Sequence, residues 1–506
     1  MTTILDRIAA TPPSAGNLTV ATLHRTEVHP LPEVHRRAGQ VARFLLDLGV
    51  RPGDRIGILA DNGLAWVLLD LAALRLKVQT AGFDPGKFAP TPDLVDRYDL
   101  ALLFTDRATD AGGPRTLPAS RVLELPPDDA FDPLPPVSWQ PEDVTTIKFT
   151  SGSTGEPKGL GATAGSIHSS LSAVQELFHH TRGDDLFVFL SLSLLQQRYW
   201  VYSALAHGHG LTLTTPEAAF ATLPRTEPTV VMGIPAFFDN ARRTITNRMA
   251  RTTPRPALAE AARTVFGRRI RYLWTGSAPA APDVLAFYEE AGLPLYEGYG
   301  LNETCIVTKN HPGAHRIGSV GKPLPGKRVH VDADGHITVE SDHPVNTRYA
   351  YARPGDSERM FGPGNTVRTG DIGHLDEDGF LYVHGRADDT IVLTNGRKIV
   401  VRPIEERLKR HPAIAEAVLY CPHQTHLVAV VSPSGAPPDI DAITTHLKDA
   451  NASLTADQQV HRVIVADPPF TPDNGLLTHQ YKPRRRQILD TYLDAVNDPR
   501  EGIRAS

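Results

Sequence analysis

Residues 150–159 read TSGSTGEPKG, a run of hydroxyl-bearing residues and glycines that reaches Lys158 through Pro157 and closes on Gly159. Glycines let backbone amides turn toward a ligand, the hydroxyls of Ser151, Ser153 and Thr154 add donors, and Lys158 supplies a point charge. That combination suits a phosphate chain. It is not the GxxxxGK[ST] loop, because Lys158 follows a proline and is trailed by a glycine rather than a hydroxyl residue. Upstream, VTTIKF reads as a strand, and downstream GSIHSSLSAVQELF reads as a helix, so the run is expected to be a strand-to-helix loop. A Gly/Ser surface loop has the same composition, and the rest of the chain must decide between the two.

Outward from that loop the first half alternates strand and helix. EVHRRAGQVARFLLDLGV carries apolar residues at helical spacing, RIGILA is a short apolar strand, and GLAWVLLDLAALRL is again helical. DLALLFTD, LFVFLSLS, TVVMGIP and IRYLWTGS are further strands with helices between them, the pattern of mostly parallel, doubly wound α/β sheets. Past about residue 315 the texture changes: RVHVDADGHITVES and GHLDEDGFLYVHGR alternate around Asp-Gly turns, as antiparallel strands of a barrel-like subdomain do. From about residue 389 a small α+β module follows. The expected division is a large N-terminal part over 1–387 and a small, mobile C-terminal part over 388–506.

With 506 residues, 41% hydrophobic, 22% charged and a net charge of −5, the composition suits a multi-domain globular protein and carries no footprint for nucleic acid. Two cysteines supply no disulfide framework, no apolar run reaches a membrane span, and the N-terminus lacks a signal-peptide pattern, so a cytoplasmic location is expected. Only 11 of the 52 basic residues are lysine, so each lysine carries more information than usual.

Three further motifs share the chain with TSGSTGEPKG: YEGYGLNET (296–304), VRTGDIGHLDEDGFLYVHGRADD (367–389) and DNGLLTHQYKPRRR (473–486). In this order and at these separations the four resemble the core motifs of the adenylate-forming superfamily, closest to its long-chain acyl-CoA synthetase branch. The resemblance implies two-step chemistry. A carboxylate attacks the α-phosphorus of ATP and expels pyrophosphate, and the resulting acyl-AMP is passed to a thiol of CoA or of a carrier protein's pantetheine.

The resemblance also implies residue roles. Thr150, Ser151, Gly152, Ser153, Thr154, Gly155 and Lys158 hold the β- and γ-phosphates, and Glu303 binds Mg²⁺. Tyr299 stacks on adenine. Gly276, Ser277 and Ala278 line the other side of the base, and Glu297, Gly298, Gly300 and Asn302 complete the strand and turn around it. Asp371 takes the ribose hydroxyls with Arg386 assisting. Lys482 bridges the acid and the α-phosphate, Arg198 joins the catalytic set, and Gly396 gives room to a pantetheine arm after a swing about Asp388.

Departures leave the acid open. Ala164 and Leu194 stand where relatives carry histidines, and Asn302 where a threonine is expected. QQRYWVY (196–202) is expected either to line a pocket for a small polar acid or to face another helix, and Gly300 implies a pocket not restricted to acetate. Besides a small-molecule acid ligase, two alternatives stand: an adenylating enzyme with another oxyanion or acceptor, as in amide formation or nitrite activation toward an amine, and a non-catalytic nucleotide-binding relative.

Overall fold

Short apolar runs bounded by turns become strands, and the computed structural model describes them over residues 3–108, 113–126, 135–151, 157–252, 257–394, 397–478 and 481–504. The chain divides into two compact units. One comprises Met1–His330, Thr338–Thr369 and Leu375–Tyr382, the other Val331–Ile337, Gly370–His374 and Val383–Ser506.

The first unit is built on two largely parallel sheets. One runs Thr116–Pro118, Leu102–Thr105, Arg55–Leu59, Gln79–Gly82, Val144–Ser151, all parallel, and closes on the antiparallel Pro157–Thr163. In the other, Leu295–Leu301, Tyr272–Thr275, Val230–Gly233, Asp185–Val188, Gly210–Leu213 and Asn17–Ala21 lie side by side and parallel, with antiparallel strands at both edges. The helix Leu64–Leu76 buries apolar residues all round, as an interior helix must, and Ile58, Leu69, Ile167, Trp200 and Leu211 belong to one core that both sheets share. The doubly wound reading is therefore correct. The barrel-like region takes the form of a five-stranded sheet that includes Lys327–Val331, His336–Ser341, Thr366–Leu375 and Leu381–Arg386.

In the second unit the strand Leu427–Pro433 is buried along its whole length. Leu427, Ala429 and Val431 face Leu408, Ile443 and Leu447, whereas Val428 and Val430 face Phe470, Ile488 and Val496 on the other side. Arg462, on the neighbouring strand Val460–Val465, donates to the carbonyls of Ala495, Val496 and Asp498 and so caps the helix Arg485–Asn497. No helix among the described residues is long and apolar enough to cross a membrane.

The strand-to-helix reading of residues 150–159 is corrected. Val144–Ser151 and Pro157–Thr163, at the two ends of the run, pair as antiparallel strands, and the helix Ala164–Phe178 begins only after the second strand. That strand reads PKGLGAT and has no strand signature, because its glycines are there for close packing. A Cβ on Gly159 would stand 2.4 Å from Tyr351, and one on Gly161 2.8 Å from Val144.

Buried histidines make the first unit acid-sensitive. His180 shares a 2.5 Å hydrogen bond with Tyr272, His209 a 2.9 Å one with Ser203, and burial holds the two imidazoles down to about 3 and about 4. An unfolded histidine titrates near 6.5, so between about pH 6.5 and about pH 4 the unfolded chain takes up protons that the folded chain refuses. Stability falls with falling pH, by up to about 1.4 kcal/mol per pH unit for each histidine. Asp185, which burial raises to about 6, and Glu297, which it raises to about 7, protonate first in the folded state and offset part of this loss. His35, held at about 4 by burial, adds to it. The urea midpoint should drop from about pH 7 to about pH 5, and His180→Phe should flatten that drop; a wild-type midpoint independent of pH over this range contradicts the account.

Candidate active site

The strand register pairs Thr150 with Lys158 and Ser151 with Pro157, and Gly152, Ser153, Thr154 and Gly155, which follow in sequence, lie outside the described residues. The strand pair is anchored by aromatic packing: Phe149 lies 4.9 Å from Phe83 and 4.6 Å from Tyr98, ring centre to ring centre. Tyr351 bridges to Gly159 through the backbone and accepts a 2.6 Å hydrogen bond from Arg55 at its hydroxyl.

Lys158 and Glu303, far apart in sequence, meet around Tyr349. The Tyr349 hydroxyl donates to Glu303 Oε1 at 2.6 Å, Lys158 Nζ lies 5.3 Å from the centre of the Tyr349 ring, and Lys158 pairs with Asp356 at 3.0 Å. The hydrogen bond from Lys158 holds the Asp356 carboxyl below its ordinary range, and burial with the Glu303 charge pushes the Tyr349 hydroxyl up. Glu303 is delivered by the short turn between Leu301 and Cys305, which pair across a hairpin with Cys305 in the left-handed region at φ 55°. Tyr349 and Asp356 were missed at the sequence level, since YAYARPGDSER has no periodic signal and gives no sign of its partners.

Glu303, buried and hydrogen-bonded to Tyr349, fits Mg²⁺, which is commonly held by one or two carboxylates plus substrate phosphates rather than by an all-protein cage. Among the described residues no group of three or more His, Cys, Asp or Glu could hold a metal by itself.

The base-lining candidates lie on neighbouring parallel strands, with Thr275 in register with Glu297. Gly276, Ser277 and Ala278 follow the first strand, and Glu297, Gly298, Tyr299 and Gly300 sit in the second, with Asn302 in the turn beyond. Glu297 Oε1 accepts from the Ala280 amide at 2.8 Å. Gly300 has a backbone reason for its identity: a Cβ there would stand 1.9 Å from the carbonyl oxygen of Cys305. Its smallness is therefore no measure of the acid pocket.

In the second unit, Arg386 donates to Asp371 at 3.3 Å, from the end of a strand that neighbours the one carrying Asp371. Lys482 is exposed, on a loop closed by hydrogen bonds from the Thr478 amide to the Lys482 carbonyl at 2.8 Å and from the Lys482 amide to Thr478 Oγ1 at 3.1 Å. Three residues on, Arg485 pairs with Glu405, and with Asp389 at 3.3 Å. Gly396 lies outside the described residues.

Arg198 is placed differently from its expected catalytic role. It is wholly buried on the helix Leu195–His207 and donates to Asp70 at 3.3 Å, Thr80 at 3.1 Å and Thr146 at 2.9 Å. Tyr199, Trp200, Val201 and Tyr202 are buried with it, so this part of QQRYWVY is core, and only Gln196 and Gln197 are half-exposed.

Two parallel sheets on a common core, a glycine-rich hairpin beside a buried carboxylate, and a separate small α+β unit define a nucleotide-using α/β enzyme. The chain belongs to the AMP-binding enzyme family, which matches residues 31–344, and the C-terminal domain of AMP-binding enzymes matches residues 388–500. It is 26% identical over 538 residues to a long-chain-fatty-acid–CoA ligase of Mycobacterium bovis, covering 89% of each. It is 27% identical over 404 residues to a 2-succinylbenzoate–CoA ligase of Bacillus cereus, covering 76% of this chain and 78% of the relative. Among solved structures, O-succinylbenzoate coenzyme A synthetase of Bacillus subtilis in complex with ATP and a magnesium ion is similar in fold. Its TM-score is 0.75 at 22% identity, with 96% of this chain and 99% of that chain covered.

Proposed function

We propose that the chain is an AMP-forming ligase that activates a small carboxylic acid with ATP and transfers the acyl group to a thiol, CoA in preference to a carrier protein. The observation that carries this reading is the Lys158–Tyr349–Glu303 cluster at the foot of the glycine-rich hairpin. Membership of the AMP-binding family supports it, as do curated relatives that are CoA ligases.

In the first step a carboxylate oxygen of the acid bonds to the α-phosphorus as the bond from that phosphorus to the pyrophosphate oxygen breaks. Both partners are anionic, so the protein's task is charge neutralisation and alignment. The hairpin tip and Lys158 hold the departing phosphates, and binding there requires Lys158 to exchange Asp356 for phosphate. Glu303 would hold Mg²⁺, which when bound screens the phosphate oxygens. Tyr349 keeps the Glu303 carboxylate aimed. Tyr299 with Gly276, Ser277 and Ala278 encloses the base, Asp371 and Arg386 take the ribose, and Lys482 bridges the acid and the α-phosphate. In the second step the thiol sulfur bonds to the acyl carbon, AMP leaves with the carbonyl-linked oxygen, and the thiol proton passes to solvent. Residues 388–506 act as a mobile small domain, with Asp388 as hinge and Gly396 beside the thiol's path.

The test is ATP–pyrophosphate exchange over a panel of acids, followed by mass spectrometry of products formed with CoA. Acid-dependent exchange and an acyl-CoA product are expected. Exchange with no acid of the panel removes the ligase reading. Ala164 and Leu194, in place of histidines, favour one alternative arm: ATP-dependent AMP release with nitrite and an amine, but with no carboxylic acid, would establish that chemistry instead.

A further inference from the structure

In a chain that uses arginine for most of its cations, Lys309 is a lysine with no exposure at all. Moving an ammonium out of water is costly unless donors and charge are matched, so its setting is specific. Its Nζ donates to the carbonyl of Thr275 at 3.0 Å and to that of Tyr296 at 2.8 Å, and lies 3.7 Å from the ring centre of Trp274. Thr275 directly precedes Gly276, Ser277 and Ala278, and Tyr296 directly precedes Glu297, Gly298 and Tyr299. One side-chain nitrogen therefore joins two neighbouring strands one residue upstream of both candidate base-lining segments. Burial pushes the Lys309 amine well below its ordinary range, the Glu297 carboxylate works against that shift, and Glu297 ties the far end of the first segment through the Ala280 amide at 2.8 Å. Gly298 is cut to fit this arrangement, since a Cβ there would stand 2.6 Å from Lys309 Cδ.

We propose that Lys309 is a positioning residue for nucleotide binding: by fixing the carbonyls of Thr275 and Tyr296 it sets the separation of the two segments that enclose adenine. This rests on the nucleotide-site reading above. Wholly buried, Lys309 offers no surface to base or phosphate. It acts through the backbone it holds, so its loss should widen or loosen the slot without removing any ligand contact directly.

Calorimetric titration of the full chain with ATP and Mg²⁺ separates this role from a purely structural one, because it gives the dissociation constant and the fraction of competent sites independently. Lys309→Met is expected to weaken ATP about tenfold or more, the scale of losing charged hydrogen bonds that order a site, with the site fraction unchanged. An unchanged dissociation constant, or a fall in site fraction alone, overturns the proposal. If Lys309→Met does not fold, Lys309→Gln, whose amide keeps a donor for one carbonyl, is expected to lose an intermediate factor, and ATP binding equal to wild type in that variant overturns it as well. Wild-type protein that binds no ATP would instead overturn the nucleotide-site reading.

Discussion

Replacing Lys482 with Ala is expected to slow acyl-adenylate formation about a hundredfold or more while ATP binding stays within about twofold, because a donor aimed at developing charge acts in the transition state and little in the ground state. The local structure supports that assignment. Thr478 closes the loop from both sides of Lys482, Tyr481 takes the left-handed conformation at φ 57°, and the following residues are fixed by the pairing of Arg485 with Glu405 and Asp389. These bonds hold the backbone of Lys482, whose side chain is exposed. The measurement is pyrophosphate exchange with an acid that the wild type accepts, alongside direct ATP titration. Exchange at the wild-type rate in Lys482→Ala removes the assignment. Loss of exchange together with loss of ATP affinity would mean that the lysine binds nucleotide rather than bridging the two reactants.

The layers of the fold were legible in the sequence, because a parallel sheet buried on both faces needs continuous apolar runs such as RIGIL and VVMG. The second strand of the glycine-rich hairpin was not. Its glycines answer to Tyr351 and Val144, and close approach by a distant side chain leaves no local pattern. The candidate site divides in the same way. Lys158 and Glu303 stood out in short motifs, whereas Tyr349, 46 residues from Glu303, belongs to a segment with no strand or helix period. Lys309 gave a partial signal through the scarcity of lysine, but only the fold shows that it joins Thr275 to Tyr296. Arg198 is the opposite case. Its place in a motif made it look like a ligand contact, and its partners Asp70, Thr80 and Thr146, which put it in the core, come from 52 to 128 residues away.

Asp70→Ala is expected to be among the most destabilising single changes in the chain, by about 3–5 kcal/mol, the range for removing one partner of a buried ion pair. Asp70 accepts from Arg198 at 3.3 Å, from Thr80 at 3.2 Å and from Tyr202 at 2.6 Å. The wholly buried guanidinium of Arg198 has no other carboxylate among its ion pairs, and its Nε and Nη2 have no hydrogen-bond partner among the described residues. Its remaining supports are the hydroxyls of Thr80 and Thr146, which are neutral, and the face of Trp66, 5.1 Å from the guanidinium carbon. Without Asp70 that charge stays in the core uncompensated. Removing both charges should behave differently, since a well-packed apolar pair of similar volume is often as stable as the ion pair it replaces. Asp70→Leu with Arg198→Met should therefore recover most of the loss in denaturant midpoint, a coupling that two independent sites would not show. Additive losses in the double variant contradict an internal pair. The double variant also tests the placement of Arg198 in the core against the catalytic expectation: a structural arginine leaves pyrophosphate exchange per folded molecule near the wild-type value, whereas a substrate-contacting one yields protein that is folded and inactive.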